Sequence, residues 1–410
     1  METPGAIVQE KVQQAACILQ ELGVDAWLTF VRETTDAPDA VLPLILGQNL
    51  TWQSALILGR DGTRLAIVGR YDDEAVRAGG AWTEVVSYVE GIRGPLVEAL
   101  SRLDPKTIAV NFSLDDVRAD GLTHGMFLLL HEYLAGTPYG QRLVIAADVI
   151  AALRGRKTAG EIERVRRAVA AAEEVFAAAE AMARPGCTEA HLARFMREEA
   201  ARRGAGTAWD AAQCPIVTTG PGSMVGHAPP SETLAVAPGR ILHVDFGVRC
   251  DDYCCDLQRA WWVPSPGERA APAPVRLAFE AIVAAIRRAS EVLRPGVEGW
   301  RVDEAARSAL VGAGYPEYRH ATGHQVGRSA NDGGAVLGPR WERYGRTPFY
   351  RVEPSSVFAL ELGVEDVDGR GYLGLEEMVL VSEKGCEFLS GPQTELPLLG
   401  APPPRVRRRQ

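Results

Sequence analysis

The chain is 410 residues long, 46% hydrophobic, and carries a formal net charge of −9. That length holds two domains with separate cores, and the acidic balance argues against a general nucleic-acid surface. No run of 18 apolar residues occurs, and Glu2, Glu10 and Lys11 interrupt any apolar leader, so the expectation is a soluble cytoplasmic protein without a membrane segment.

The first elements follow from hydrophobic period and breakers. Ile7, Val8, Val12, Ala15, Ile18, Leu19 and Leu22 recur at helical spacing and stop at Gly23, which suits a helix C-cap. Strands are expected over 25–30, 54–58, 64–68, 84–89 and 107–111, with helices near 94–103 and 122–135. Strand and helix alternate, which reads as a compact α/β domain over 1–152. This domain shows no phosphate-binding glycine loop and no cluster of ionisable residues.

Composition changes at 151–157, and a second domain is expected over 153–395, with a Pro/Arg-rich tail over 396–410. A long Ala/Glu/Arg helix runs over 159–184 to Pro185-Gly186, and a second starts behind the N-cap Thr188 and ends near Arg203. A strand over 213–219 precedes an irregular Gly/Pro-rich segment that delivers His227. Further helices are expected over 274–293 and 301–312. Seven cysteines in no framework spacing read as reduced thiols.

The chemistry concentrates after residue 210. Ile241 to Val248 and Tyr253 to Trp262 read as two antiparallel strands, and a loop centred on Cys250-Asp251 sets Asp245 opposite Asp256, with Cβ atoms roughly 5 Å apart. Carboxylates that close repel unless one is protonated or a cation lies between them. The device repeats near the C-terminus, where a turn on Asp368-Gly369 sets Glu361 opposite Glu376. Between the hairpins lies Arg319-His320-Ala321-Thr322-Gly323-His324-Gln325-Val326-Gly327. Its glycines disfavour a helix, and a Gly-flanked His324 in a loop can approach a cation without crowding.

His243-Val244-Asp245-Phe246-Gly247, Cys255-Asp256-Leu257-Gln258-Arg259, Gly323-His324-Gln325-Val326-Gly327, Glu361-Leu362-Gly363 and Leu375-Glu376, in this order, resemble the metal-ligand motifs of the creatinase, prolidase and methionine aminopeptidase family. The resemblance covers the chain from about Lys157, and the first 150 residues look like the extra domain of the prolidase, aminopeptidase P and creatinase branch. It implies an α/β N-terminal domain plus an α+β C-terminal domain of the pita-bread fold. It further implies a dinuclear centre in which Asp245, Asp256, His324, Glu361 and Glu376 hold two divalent ions. Cations about 3.5 to 4 Å apart can hold a hydroxide between them and polarise a peptide carbonyl. The excess of hard oxygen donors favours Mn²⁺ over Co²⁺ or Zn²⁺.

By the same resemblance Glu361 is the proton shuttle, His227 contacts the substrate or tetrahedral intermediate, and His320 lies at the rim of the cleft. The implied activity is hydrolysis of Xaa-Pro or similar short peptides by a cytoplasmic homodimer. Four positions depart from the family pattern: Gln325 replaces Gly, Leu362 replaces Pro, Asn331 stands where a second substrate-contacting histidine is usual, and Gly374 where prolidases carry Arg. Asn donates a hydrogen bond but takes up no proton near neutral pH. Asn331 and Gly374 therefore leave room for a metal- or peptide-binding protein with weak or no hydrolysis. A metal-free creatinase-like hydrolase is a further alternative, opposed by the facing carboxylates.

Overall fold

The computed structural model describes residues 5–226 and 228–400. The chain divides into two compact units. One comprises the described residues up to Gly160 with Gly345–Thr347, and the other runs from Glu161 to Tyr344 and from Pro348 onward.

In the first unit, β1 (Ala26–Val31), β2 (Ser54–Gly59), β3 (Arg64–Gly69), β4 (Glu84–Tyr88), β5 (Ile108–Val110) and β6 (Leu143–Ile145) form one mixed sheet in the order β4-β3-β2-β1-β5-β6. Its helices are α1 (Ala6–Leu22), α2 (Leu42–Ile45), α3 (Asp73–Gly79), α4 (Arg93–Leu103), α5 (His124–Tyr133) and α6 (Ala147–Gly155). Alternate residues of a strand point to opposite faces, and here both faces are covered. Ala26, Leu28 and Phe30 pack with Leu96 and Leu100 of α4 and Leu130 of α5, while Trp27 and Val31 join Ile18 and Leu19 of α1 and Ile150 of α6. The sheet is thus the middle of an α/β layering, as expected. Helix α1 ends where Gly23 adopts φ 68° and its N–H bonds the Gln20 carbonyl, the C-cap its glycine predicts.

Two helix pairs belong to the second unit: α7 (Ala159–Met182) with α8 (Glu189–Arg202), and α9 (Ala273–Val292) with α10 (Gly299–Gly312). Thr188 caps α8 by accepting from the His191 N–H at 3.2 Å. The strands are β7 (Gly206–Thr207), β8 (Ile216–Thr218), β9 (Arg240–Phe246), β10 (Val248–Cys250), β11 (Tyr253–Cys254), β12 (Leu257–Val263), β13 (Gly323–Gln325), β14 (Val357–Val364), β15 (Leu373–Ser382) and β16 (Gly385–Phe388). Six of them lie in the order β13-β14-β15-β12-β9-β8, and β16 pairs with β15. Phe358, Leu360 and Leu362 of β14 and Leu375 and Val379 of β15 pack with Phe279, Ile282 and Ile286 of α9. Phe246 of β9 and Trp261 of β12 meet Phe176 of α7 in ring contacts. On β14 and β15 the residues between these apolar ones face the other way, and they include Glu361 and Glu376.

Candidate metal centre

The sheet lines up a row of polar residues. Glu361 of β14 pairs with Glu376 of β15, Glu376 with Gln258 of β12, and Gln258 with Asp245 of β9. Asp256 lies in the link between β11 and β12, two residues before Gln258, and its carboxylate reaches the same place, with Oδ2 beside the His324 ring. His324 of β13 pairs with Ala359, two residues before Glu361, and so shares that face. The five residues expected to bind metal are therefore brought together on one side of one sheet.

The second hairpin has the expected register, Glu361 opposite Glu376, and Asp368 and Gly369 form its turn with positive φ of 53° and 68°. Arg370 N–H bonds the Val367 carbonyl to close that turn. In the first hairpin the register differs from expectation. Asp245 faces Gln258, not Asp256, because the turn centres on Asp251-Asp252, with φ of 46° and 67°. A two-residue turn of this hand needs left-handed backbone at both central positions, which Asp tolerates better than Cys. The slip is of two residues, and Asp245 still neighbours the Asp256 carboxylate.

His324 also corrects an expectation, since it stands on a short strand and not in a loop. Gly323 makes that possible: a Cβ there would come 2.2 Å from the Ala359 carbonyl oxygen, so only glycine lets β13 pair with β14 this closely. Behind it, Thr322 donates through N and Oγ1 to Asp303 Oδ1, and Asp303 is paired with Arg307.

The atoms converge. His324 Nε2 lies 3.9 Å from Asp256 Oδ2, 4.0 Å from Glu361 Oε1 and 3.7 Å from Glu376 Oε1. Asp256, His324 and Glu376 each offer a donor atom, all within 4.8 Å of one another. Asp245 Oδ1, Asp256 Oδ1 and Glu376 Oε1 are buried and have no hydrogen-bond partner among the described residues. Burial, then the neighbouring carboxylates, pushes Asp245, Asp256 and Glu376 well above the usual carboxylate range. Buried carboxylates stay ionised only with compensating charge. Acidic oxygens left unpartnered beside an imidazole fit a divalent cation.

Other residues complete the site. Gln258 Nε2 donates to Glu361 Oε2 at 3.2 Å and Glu376 Oε2 at 3.0 Å. His243 Nε2 lies 3.0 Å from Gln258 Oε1, and burial drives the His243 pKa down to about 4, so the ring is neutral. Tyr318 Oη donates to Glu361 Oε2 at 3.3 Å. Tyr372 lies over Gly363 and Gly374, where a Cβ would come within 2.1 Å of its hydroxyl and 2.6 Å of its ring respectively. Burial raises both tyrosine hydroxyls, keeping them protonated. Gln258, His243, Tyr318 and Tyr372 had no assigned role from sequence, although Gln258 has the parity of Asp256 and His243 that of Asp245.

Three further candidates were expected around the substrate. His227 is outside the described residues. His320 is exposed, its ring 5.7 Å from that of Tyr318, and Asn331 is exposed after the strand bearing His324. Arg370, the nearest cation in sequence to Gly374, is committed elsewhere: it donates to the Gly239 carbonyl at 3.1 Å and stacks on Trp262.

Relatives found by sequence and by structure carry peptidase names. A Mycobacterium tuberculosis protein named "Probable dipeptidase PepE" is 29% identical over 269 residues, 65% of this chain and 67% of its own. An "Xaa-Pro dipeptidase" of Pyrococcus furiosus is 28% identical over 251 residues, 61% of this chain and 67% of its own. The solved Xaa-Pro dipeptidase from Bacillus anthracis superposes with TM-score 0.74 at 20% identity, covering 96% of this chain and all of its own. Dipeptidase PepE from Mycobacterium ulcerans gives 0.74 at 24%, covering 97% and all of its own. These likenesses establish the pita-bread fold with its α/β N-terminal domain. The family model described as "Metallopeptidase family M24" matches residues 163–383, more than half of the chain, and the protein belongs to that family.

Proposed function

We propose that the protein is a metal-dependent exopeptidase hydrolysing Xaa-Pro or similar short peptides. The observation that carries this reading is the set of buried, unpartnered carboxylate oxygens gathered around His324. Asp245, Asp256, His324, Glu361 and Glu376 would hold two divalent ions, Mn²⁺ in preference to Co²⁺ or Zn²⁺ since four donors of the five are carboxylates. Bound there, the ions supply Lewis-acid polarisation of the scissile carbonyl and acidify the attacking water. Glu361 is the group that moves the proton: its Oε2 is fixed by Gln258 and Tyr318, and its Oε1 turns toward His324. Tyr318 and Tyr372 wall the site with neutral hydroxyls and rings that exclude bulk water. His227, His320 and Asn331 are assigned to substrate contact by the family resemblance, and Asn331, unable to carry a proton, slows turnover. The name of the Pyrococcus furiosus relative supports the Xaa-Pro substrate class. A cytoplasmic homodimer completes the reading on the resemblance alone.

The test is hydrolysis of Xaa-Pro dipeptides and tripeptides by chelator-treated protein before and after Mn²⁺ is restored. Metal-dependent release of the N-terminal residue supports the reading. Mn²⁺ binding with no release from any Xaa-Pro peptide favours a binding protein instead.

A further inference from the structure

The carboxylate row contains a single neutral member, and its hydrogen bonds divide the oxygens of its neighbours. Gln258 is buried between β15 and β9, flanked by Glu376 on one side and Asp245 on the other. Its two amide N–H groups point to Glu361 Oε2 and Glu376 Oε2. The Oε1 atoms of the same two residues are the ones that approach His324. One oxygen of each glutamate is held from behind and the other is left for a cation.

The amide could be turned over, which would present its oxygen to two carboxylates. His243 opposes that. It is buried beside Gln258, its Nε2 is 3.0 Å from Gln258 Oε1, and its Nδ1 is 3.5 Å from Thr218 Oγ1. A neutral ring with the proton on Nε2 donates to Oε1 and leaves Nδ1 to accept from the threonine hydroxyl. Room for the long side chain comes from Gly374, where a Cβ would lie 2.5 Å from Gln258 Oε1. Gln258 and Gly374 are therefore one steric solution.

We propose that Gln258, locked by His243, is the positioning residue of this site: it fixes which oxygen of Glu361 and of Glu376 faces the metal. Groups that orient metal ligands in this way are typically worth about 10- to 100-fold in metal affinity. The proposal rests on the metal-centre reading above, and the experiment separates the two. In the full-length protein, Mn²⁺ Kd is measured from the free-ion EPR signal, and the bound-ion line shape is recorded. Gln258→Met, which keeps length and loses both donors, is expected to weaken binding about 10-fold or more and to broaden the bound-ion spectrum. His243→Phe, which keeps the ring against Tyr372, is expected to weaken binding in the parent and to add nothing in the Gln258→Met background. A Gln258→Met Kd within twofold of the parent, or additive effects of the two changes, overturns the proposal. If the parent binds no Mn²⁺, the metal reading fails, and the ring ¹⁵N shifts of His243 in metal-free protein decide this one. An Nε2-protonated tautomer that becomes mixed in Gln258→Met sustains it, and a tautomer indifferent to that change refutes it.

Discussion

Glu376 and Glu377 are adjacent on β15, both buried, and face opposite sides of the sheet, yet the protein treats them differently. Glu377 receives Arg259 through both oxygens at 3.1 and 3.0 Å, Ser390 Oγ at 2.6 Å and the Gln393 N–H at 2.8 Å. Burial lifts its pKa, and those donors offset only part of the rise. Glu376 receives one amide hydrogen bond, and its other oxygen has no partner among the described residues. A carboxylate whose charge is answered by the chain holds the chain together, and one whose charge is left open marks where something else must bind. The same contrast holds on β12, where Arg259 serves the closed side and Gln258 the open one.

That contrast can be broken most strongly on the closed side. Arg259→Met leaves Glu377 buried without its cation and should cost about 3–5 kcal/mol, read as a lower denaturant midpoint with the m-value kept. The drop should be the same with or without Mn²⁺. A loss confined to the metal-loaded protein would place Arg259 on the wrong side of the comparison.

On the open side the ligand, not the chain, supplies the stability. Mn²⁺ at a hundred times its Kd should raise stability by about 2.7 kcal/mol, seen as a higher melting temperature. Glu376→Gln should lose most of that gain while the metal-free protein melts no lower than the parent. Catalysis sharpens the same side: Asn331→His should raise Xaa-Pro turnover by on the order of a hundredfold at unchanged metal content, and no increase on either dipeptides or tripeptides would remove position 331 from the pocket.

The open side also sets a pH slope. In metal-free protein Asp245, Asp256 and Glu376 have raised folded-state pKa values, so the folded state binds more protons than the unfolded one above the ordinary carboxylate range. Their contribution is fully present at acid pH and is lost as pH rises through the folded-state values, at about 1.4 kcal/mol per pH unit for each proton retained. Melting of chelated protein across pH 4 to 8 should show this decline, and saturating Mn²⁺ should flatten it. A metal-free protein that gains stability over that range contradicts the burial of ionisable carboxylates.

Much of this was legible in the sequence because strand parity and turn chemistry are local. Asp368-Gly369 fixed the second hairpin, since Asp-Gly selects one turn with one register. Asp251-Asp252 carried the same information for the first hairpin, but two aspartates announce left-handed backbone less loudly than glycine does. His324 was misplaced because Gly323 signals a break in isolation, whereas here it admits a neighbouring strand, a fact visible only once Ala359 is opposite. Gln258 and His243 were hidden for a different reason. Their role depends on who lies across three strands, and no spacing within one segment encodes it.

The central claim is that the open carboxylates hold metal, and Mn²⁺ stoichiometry of three full-length proteins tests it most directly. The parent and Asp251→Asn, whose change lies in the turn, should each retain about two ions per chain, and Asp256→Asn, which alters the converging set, should retain fewer with a weaker Kd. Equal retention in all three, or none in the parent, contradicts the account.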